Sequence, residues 1–152
     1  MIEEAIRDIV PYDFQKFCQY LLEAMGYFVP FNAPKGPDGG VDLIAYQDPL
    51  GIKTPRIKVQ VKHHKDKMSV KEVRELQGIL RRSDEMGLLI ASGGFTSEAL
   101  KESRQSHVHL ELMDIDRLID LWEQHYDQLS ERGRRMLPLS RLAYFRPGFA
   151  ED

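Results

Sequence analysis

One stretch of seven residues constrains this chain more than any other. From Ile57 to His63 apolar and polar side chains alternate, with Ile57, Val59 and Val61 set against Lys58, Gln60 and Lys62. A period of two fits a β-strand with one buried and one polar face, and fits no helix. Residues 41–46 read as a second strand, and Asp48-Pro49-Leu50-Gly51 as a turn with proline at its second position. A hairpin folded back near residue 51 or 52 sets Asp42 across from residues 60–62, where cross-strand neighbours lie about 5 Å apart. A slip of one residue would turn Asp42 to the wrong face, so the register is the decisive quantity.

The flanking patterns build a layered fold around this hairpin. Residues 1–10 form a short amphipathic piece through Ile2, Ile6 and Ile9. Pro11 suits a first helical position, Phe14, Phe17, Cys18, Leu21, Leu22 and Met25 recur at helical spacing, and Gly26 ends that helix. Residues 27–31 make a short strand candidate, and residues 32–40 a Gly/Pro-rich loop. Ser69-Val70-Lys71-Glu72 matches a capping box for a helix that buries Val70, Val73, Leu76, Ile79 and Leu80. Residues 87–92 are an apolar strand, Gly93-Gly94 a turn, and Thr96 a cap for a helix reaching about Ser103. Residues 107–113 form a further strand, and Asp114 caps a helix carrying Ile115, Leu118, Ile119 and Trp122. After Gln128 the pattern weakens, and Pro138 and Pro147 predict an irregular tail. The order predicts an α/β fold, a central mixed β-sheet flanked by helices.

Composition narrows the classes. At 152 residues, 42% of them hydrophobic and 30% charged, the chain fits one domain that buries a core without disulfides. Disordered, collagenous and coiled-coil chains look different. Cys18 is the single cysteine, so no internal disulfide is expected. The acidic, periodic start MIEEAIRDIV is unlike a signal peptide. The uncharged run from Gly87 to Ser97 falls well short of the ~20 residues that span a bilayer, so no membrane partner and a cytoplasmic location are expected.

Net charge is −3, but it is unevenly spread. From Lys53 to Lys71 seven basic residues face one acid, Asp66, a local balance of +6 that leaves −9 for the remainder. Between Glu111 and Glu131 seven acids stand against Arg117 alone. Such a split gives a polyanion one face to bind and another to avoid, although two solvated faces of opposite sign produce the same count.

Asp42, Gln60 and Lys62 form the cluster with chemical content. A carboxylate and an amide oxygen are hard ligands suited to Mg²⁺, which keeps several waters and binds phosphate oxygens. Such a metal stabilises phosphate charge and activates water, and a neighbouring lysine positions that water or serves as a base. Gly39 and Gly40 permit close backbone approach to a substrate. On spacing alone, the same three residues also describe an ordinary solvated sheet face.

The run AspGlyGlyValAsp (38–42), then ValGlnValLys (59–62), then AlaSerGlyGlyPheThr (91–96) before a helix resembles the Mrr-like restriction endonuclease family of the PD-(D/E)XK nuclease superfamily. Residues 14–27 resemble that family's first helix and residues 114–122 its last, and the likeness covers about residues 11–125. The resemblance implies a restriction-endonuclease-like core over residues 1–127, with residues 128–152 a tail packing on it or extending from it. It implies Asp42 as a metal ligand, Gln60 in place of the usual acid, Lys62 as the catalytic lysine and the Val61 carbonyl as a further ligand. Mg²⁺ is the implied cofactor, with Mn²⁺ a possible substitute. The family's first-helix glutamate aligns with Gln15, whose neutral amide weakens a metal site; Asp38 in the loop is the better substitute acid.

The expected activity is a Mg²⁺-dependent DNA endonuclease. Lys58, His63, His64, Lys65 and Lys67 would contact backbone phosphates, and cutting two strands points to a homodimer. Target recognition would come from a separate domain or subunit. The alternative is a nuclease-fold module that binds DNA without cutting it, and a third reading is a protein-interaction domain using the acidic helix around 114–127. His107 and His109 share a strand face but lack the ligands of a zinc site. Ser92 lacks a G-x-S-x-G elbow. Cys18 sits on an apolar helix face, which suits packing.

Overall fold

A proline at the first position of a helix has no N–H to leave unsatisfied, and Pro11 occupies that position. The computed structural model describes residues 1–32, 40–81 and 83–140. Helix α1 (Ile2–Arg7) precedes α2 (Pro11–Ala24), which buries Phe14, Phe17, Cys18, Leu21 and Leu22 along one stripe. Gly26, with φ at +101°, turns the chain where a side chain would be strained. The elements that follow are β1 (Phe28–Asn32), β2 (Leu43–Tyr46), β3 (Arg56–Lys62), α3 (Val70–Ile79), β4 (Glu85–Ala91), α4 (Ser97–Arg104), β5 (Leu110–Met113) and α5 (Ile115–Gln124). The three expected caps are present. Ser69 Oγ accepts from Lys71 N–H, Thr96 Oγ1 from Ala99 N–H and Asp114 Oδ1 from Arg117 N–H.

The strands form one sheet in chain order, β1-β2-β3-β4-β5. The first three run antiparallel to one another, and β3, β4 and β5 run parallel. Parallel neighbours need crossovers, which α3 and α4 supply. Leu43 pairs with Val59, Ile44 with Lys58 and Ala45 with Ile57. One further step of that register sets Asp42 opposite Gln60, within the expected window.

Each face of the sheet carries its own core. On one face Val59, Leu88 and Ile90 pack with α1, α2 and α5, where the Phe17 and Trp122 rings stack 3.9 Å apart. On the other Leu89 and Ala91 pack with Val73, Leu76 and Ala99 of α3 and α4. Strand β4 is therefore buried on both sides beyond its first two residues, which explains its apolar run from Met86 to Ala91. Strand β3 sets its apolar residues on one face and its polar residues on the other, where Gln60 is nonetheless buried.

The tail departs from expectation. A Ser130-capped helix, α6 (Glu131–Met136), follows a single helical turn, and Leu129 and Leu137 pack in the larger core. Arginines and a glycine within its six residues hide the periodicity that longer helices show. Gly133 lets this helix pack closely on α2, since a Cβ there would lie 3.2 Å from Tyr20 Cβ. Residues 141–152 lie outside the described residues, as do Asp38 and Gly39. No helix among the described residues is long and apolar enough to cross a membrane.

Candidate active site at the end of β3

Burying a polar side chain is costly unless it is bonded or used. Among the described residues three polar side chains are buried: Asp42 (3% exposed), Gln60 (4%) and Ser92 (3%). All three stand where β2 begins and where β3 and β4 end. The carboxyl edge of parallel strands is where α/β folds place their ligands.

Asp42 sits one residue before β2. Its N–H reaches the Val59 carbonyl at 2.9 Å, and its Oδ2 accepts the Val61 N–H at 2.7 Å. The second bond ties the carboxylate to the residue between Gln60 and Lys62, so the two halves of the expected cluster are brought together. A neighbouring thiol feels this: burial first, then the Asp42 charge, pushes Cys18 far above the ordinary thiol range, which keeps it inert.

Gln60 Oε1 is buried and has no hydrogen-bond partner among the described residues. Leaving an acceptor so buried costs about 1–3 kcal/mol. Gly40, with φ at +108°, passes over this amide; a Cβ there would lie 3.4 Å from Gln60 Nε2. The oxygens at hand are one carboxylate, one unpartnered amide and the Val61 carbonyl. Among the described residues no three His, Cys, Asp or Glu side chains gather as a cage. This donor set fits Mg²⁺, which takes one or two carboxylates and completes its shell with water and phosphate.

Lys62 ends β3 half-buried, its carbonyl accepting the Ser92 N–H at 3.1 Å. Its ammonium has no ion pair among the described residues. The other basic residues divide into two groups. Lys58 is committed to Glu85, 3.1 Å away, and to the Ile79 carbonyl. His63 stacks on Phe14 at 4.1 Å, with Nδ1 2.8 Å from Ser92 Oγ and Nε2 2.6 Å from the Ile9 carbonyl. Burial pushes its pKa down, so the ring is neutral, and its nitrogens are already taken within the protein. His64, Lys65 and Lys67 are exposed in the loop after β3. That loop rests on Gly93, where a Cβ would lie 2.3 Å from the Asp66 carbonyl oxygen and 2.5 Å from that of His64. A surface cleft of about 410 Å³ lies beside it, between Arg7, His63, His64, Lys65 and Ser92.

Gln15 is held through its side-chain nitrogen. Its Nε2 donates to Asn32 Oδ1, and Asn32 Nδ2 donates to Gln19 Oε1, so the amides lace α2 to β1. A carboxylate at position 15 has no N–H for that role. His107 and His109 precede β5 and are exposed, His109 lying 3.1 Å from Glu111. The residue the sequence underplays is Ser92. A serine closing an otherwise apolar strand just before a glycine pair is the signal, and it marks a hub rather than a nucleophile.

A family model described as restriction endonuclease, the Mrr catalytic domain, matches residues 6–122. No curated protein matches the sequence. A solved structure, MspJI restriction endonuclease in complex with a 27-mer oligonucleotide, superposes with a TM-score of 0.58 at 21% identity, over 82% of this chain and 31% of that one. The chain thus spans about a third of the length of that enzyme, and the likeness shows a restriction-endonuclease-like fold. With the family model spanning most of its length, the chain belongs to the Mrr family of restriction endonuclease catalytic domains.

Proposed function

We propose that this chain is the catalytic module of a metal-dependent DNA endonuclease. The observation that carries the reading is the buried Oε1 of Gln60, without a partner among the described residues, at the strand position opposite the buried Asp42. In it, Asp42, Gln60 and the Val61 carbonyl hold Mg²⁺, with Mn²⁺ a substitute. The cation, when bound, supplies Lewis acidity toward the phosphodiester and its attacking water. Lys62 orients that water and stabilises the added negative charge on phosphorus. His64, Lys65 and Lys67 contact backbone phosphates, which give affinity without sequence information. Lys58 and His63 serve the fold instead, through Glu85 and through Ser92 and Ile9. Asp38 is the accessory acid and Gln15 a brace. Double-strand cutting takes two such sites, so the acting unit is a homodimer, and target recognition belongs to a separate domain or subunit. A cytoplasmic location is part of the same reading.

The test is plasmid nicking. Wild type nicks supercoiled DNA with Mg²⁺ or Mn²⁺, and Lys62→Ala spares it. Equal cutting by both proteins rejects the assignment. One observation favours a second reading, a module that binds DNA without cutting: the Gln15 amide is committed to Asn32. DNA affinity indifferent to metal and to Asp42→Ala would select it.

A further inference from the structure

We propose that His63 is a positioning residue that fixes the direction of Lys62 by locking the end of β3 to three separate elements. The inference rests on the reading of Lys62 as the amine that serves the scissile phosphate.

The chain geometry makes the link direct. Lys62 pairs with Ala91 at the last rung of the β3–β4 ladder. Beyond His63 the backbone leaves into the exposed loop of His64 to Lys67. Successive side chains of an extended segment point to opposite sides. Whatever holds the His63 ring on one side therefore sets where Lys62 points on the other. The hold is complete. The Ile9 carbonyl can only accept, so Nε2 carries the proton and donates across 2.6 Å. Nδ1 of the neutral ring then accepts from the Ser92 hydroxyl at 2.8 Å. The ring face lies on Phe14 at 4.1 Å and 12°. The anchors come from the α1–α2 junction, from α2 and from the end of β4. Phe14 and Ser92 are themselves buried. Ser92 doubles the lock, since its N–H also holds the Lys62 carbonyl and its own carbonyl accepts from Arg7 Nη1. A free lysine side chain samples many rotamers, and ordering it costs entropy. A strand end that cannot fray removes part of that freedom before substrate arrives.

The test pairs cleavage with a measurement that does not depend on it. Single-turnover nicking rates, DNA affinity in EDTA, and NMR order parameters for residues 61–64 and the Lys62 side chain are compared across variants. His63→Ala is expected to cut at least tenfold more slowly, with DNA affinity within twofold of wild type and a more mobile Lys62. His63→Gln keeps a donor near the Nε2 position and recovers most of the rate. Ser92→Ala removes the bond to His63 Nδ1 together with the longer 3.4 Å contact to the His64 carbonyl, and loses about threefold. Wild-type rates with an ordered Lys62 in His63→Ala overturn the proposal. So does a loss of DNA affinity as large as the loss of rate, which would make His63 a phosphate contact. If His63→Ala does not fold, Ser92→Ala and His63→Gln carry the same measurements, and wild-type rates with an ordered Lys62 in both overturn it. Should wild type fail to cut at all, the nuclease reading falls, and the order parameters still decide whether His63 holds Lys62.

Discussion

Lys58 and Lys62 stand four residues apart on the same face of β3, and they live in opposite surroundings. Lys58 has Glu85 at 3.1 Å and the Ile79 carbonyl at 3.3 Å. Burial pushes the Glu85 carboxyl upward, but the Arg81 N–H and the Lys58 ammonium together hold it below the ordinary carboxylate range. Lys62 has no such partner among the described residues, and two positions before it on the same face lies the buried Gln60 amide, whose oxygen has no partner among them either. One end of the strand is complete as protein. The other leaves an ammonium and an amide oxygen without protein partners among the described residues. Identical residue types on one strand face thus come to different surroundings, which no spacing rule encodes.

The largest expected effect tests this contrast. Lys62→Met should lower the single-turnover nicking rate by about 10²–10⁴-fold, the range expected for a positioned acid–base or water-orienting group, with little change in stability. Lys58→Met should leave cutting within about twofold and cost about 1 kcal/mol in chemical denaturation, because Glu85 loses its partner. Equal losses of cutting in both would erase the distinction between the two strand ends.

Next in size is an effect in the opposite direction. Gln60→Met removes the unpartnered oxygen while keeping side-chain volume. It should stabilise the fold by about 1 kcal/mol, a rise of roughly 2–4 °C in Tm for a chain of this size, and abolish the heat of Mg²⁺ binding in calorimetry. A fall in Tm would mean that this oxygen is already satisfied in solution, and the argument for a cation beside Asp42 would lose its support.

Much of this was legible in residues alone, for identifiable reasons. Alternation from Ile57 to Lys62 gave β3 its two faces, and the Asp48–Gly51 turn set the register that brings Asp42 to Gln60. Ser69, Thr96 and Asp114 marked three helix starts through local chemistry. Contacts distant in sequence were hidden. His63 read as a phosphate contact because its partners, Ile9 and Ser92, lie 54 and 29 positions away. Lys58 read likewise, its acid being 27 positions downstream. The family resemblance marked Gln15 as a substituted ligand, while its bond to Asn32 depends on how β1 lies against α2. Helix α6 escaped notice because six residues span too few turns to show a period.

The loop from His64 to Lys67 extends the comparison from the strand to its continuation, and it has an anchor at each side. Gly93→Ala places a methyl group against two loop carbonyls at less than contact distance, so the loop must shift. DNA affinity should fall several-fold and the Tm by a few degrees, because the atoms that must move are backbone. Lys65→Ala should act more simply. It weakens binding without regard to sequence and reduces the slope of log K against log salt by about 1, the signature of one lost phosphate contact. An unchanged slope would remove Lys65 from the interface.

The second anchor is the start of α3, and it gives the smallest effect. Ser69 N–H donates to Glu72 Oε2 at 2.9 Å, and the Ser69 hydroxyl donates to the same oxygen. That hydroxyl bond is the main reason the Glu72 carboxyl titrates below its ordinary value of 4.5. A depressed acid stabilises the fold while it is ionised. Its contribution is full above the ordinary value and is lost as pH falls through the lowered one. Glu72 is half-buried at the helix start and still reached by solvent, so screening holds the effect to about 0.5 kcal/mol. Wild type should therefore exceed Glu72→Gln by about that amount near neutral pH, and the two denaturation curves should merge in acid. If DNA affinity at neutral pH also fell in Glu72→Gln, the cap would be steadying the basic loop as well as the helix; unchanged affinity would leave Gly93 as the anchor that matters to DNA.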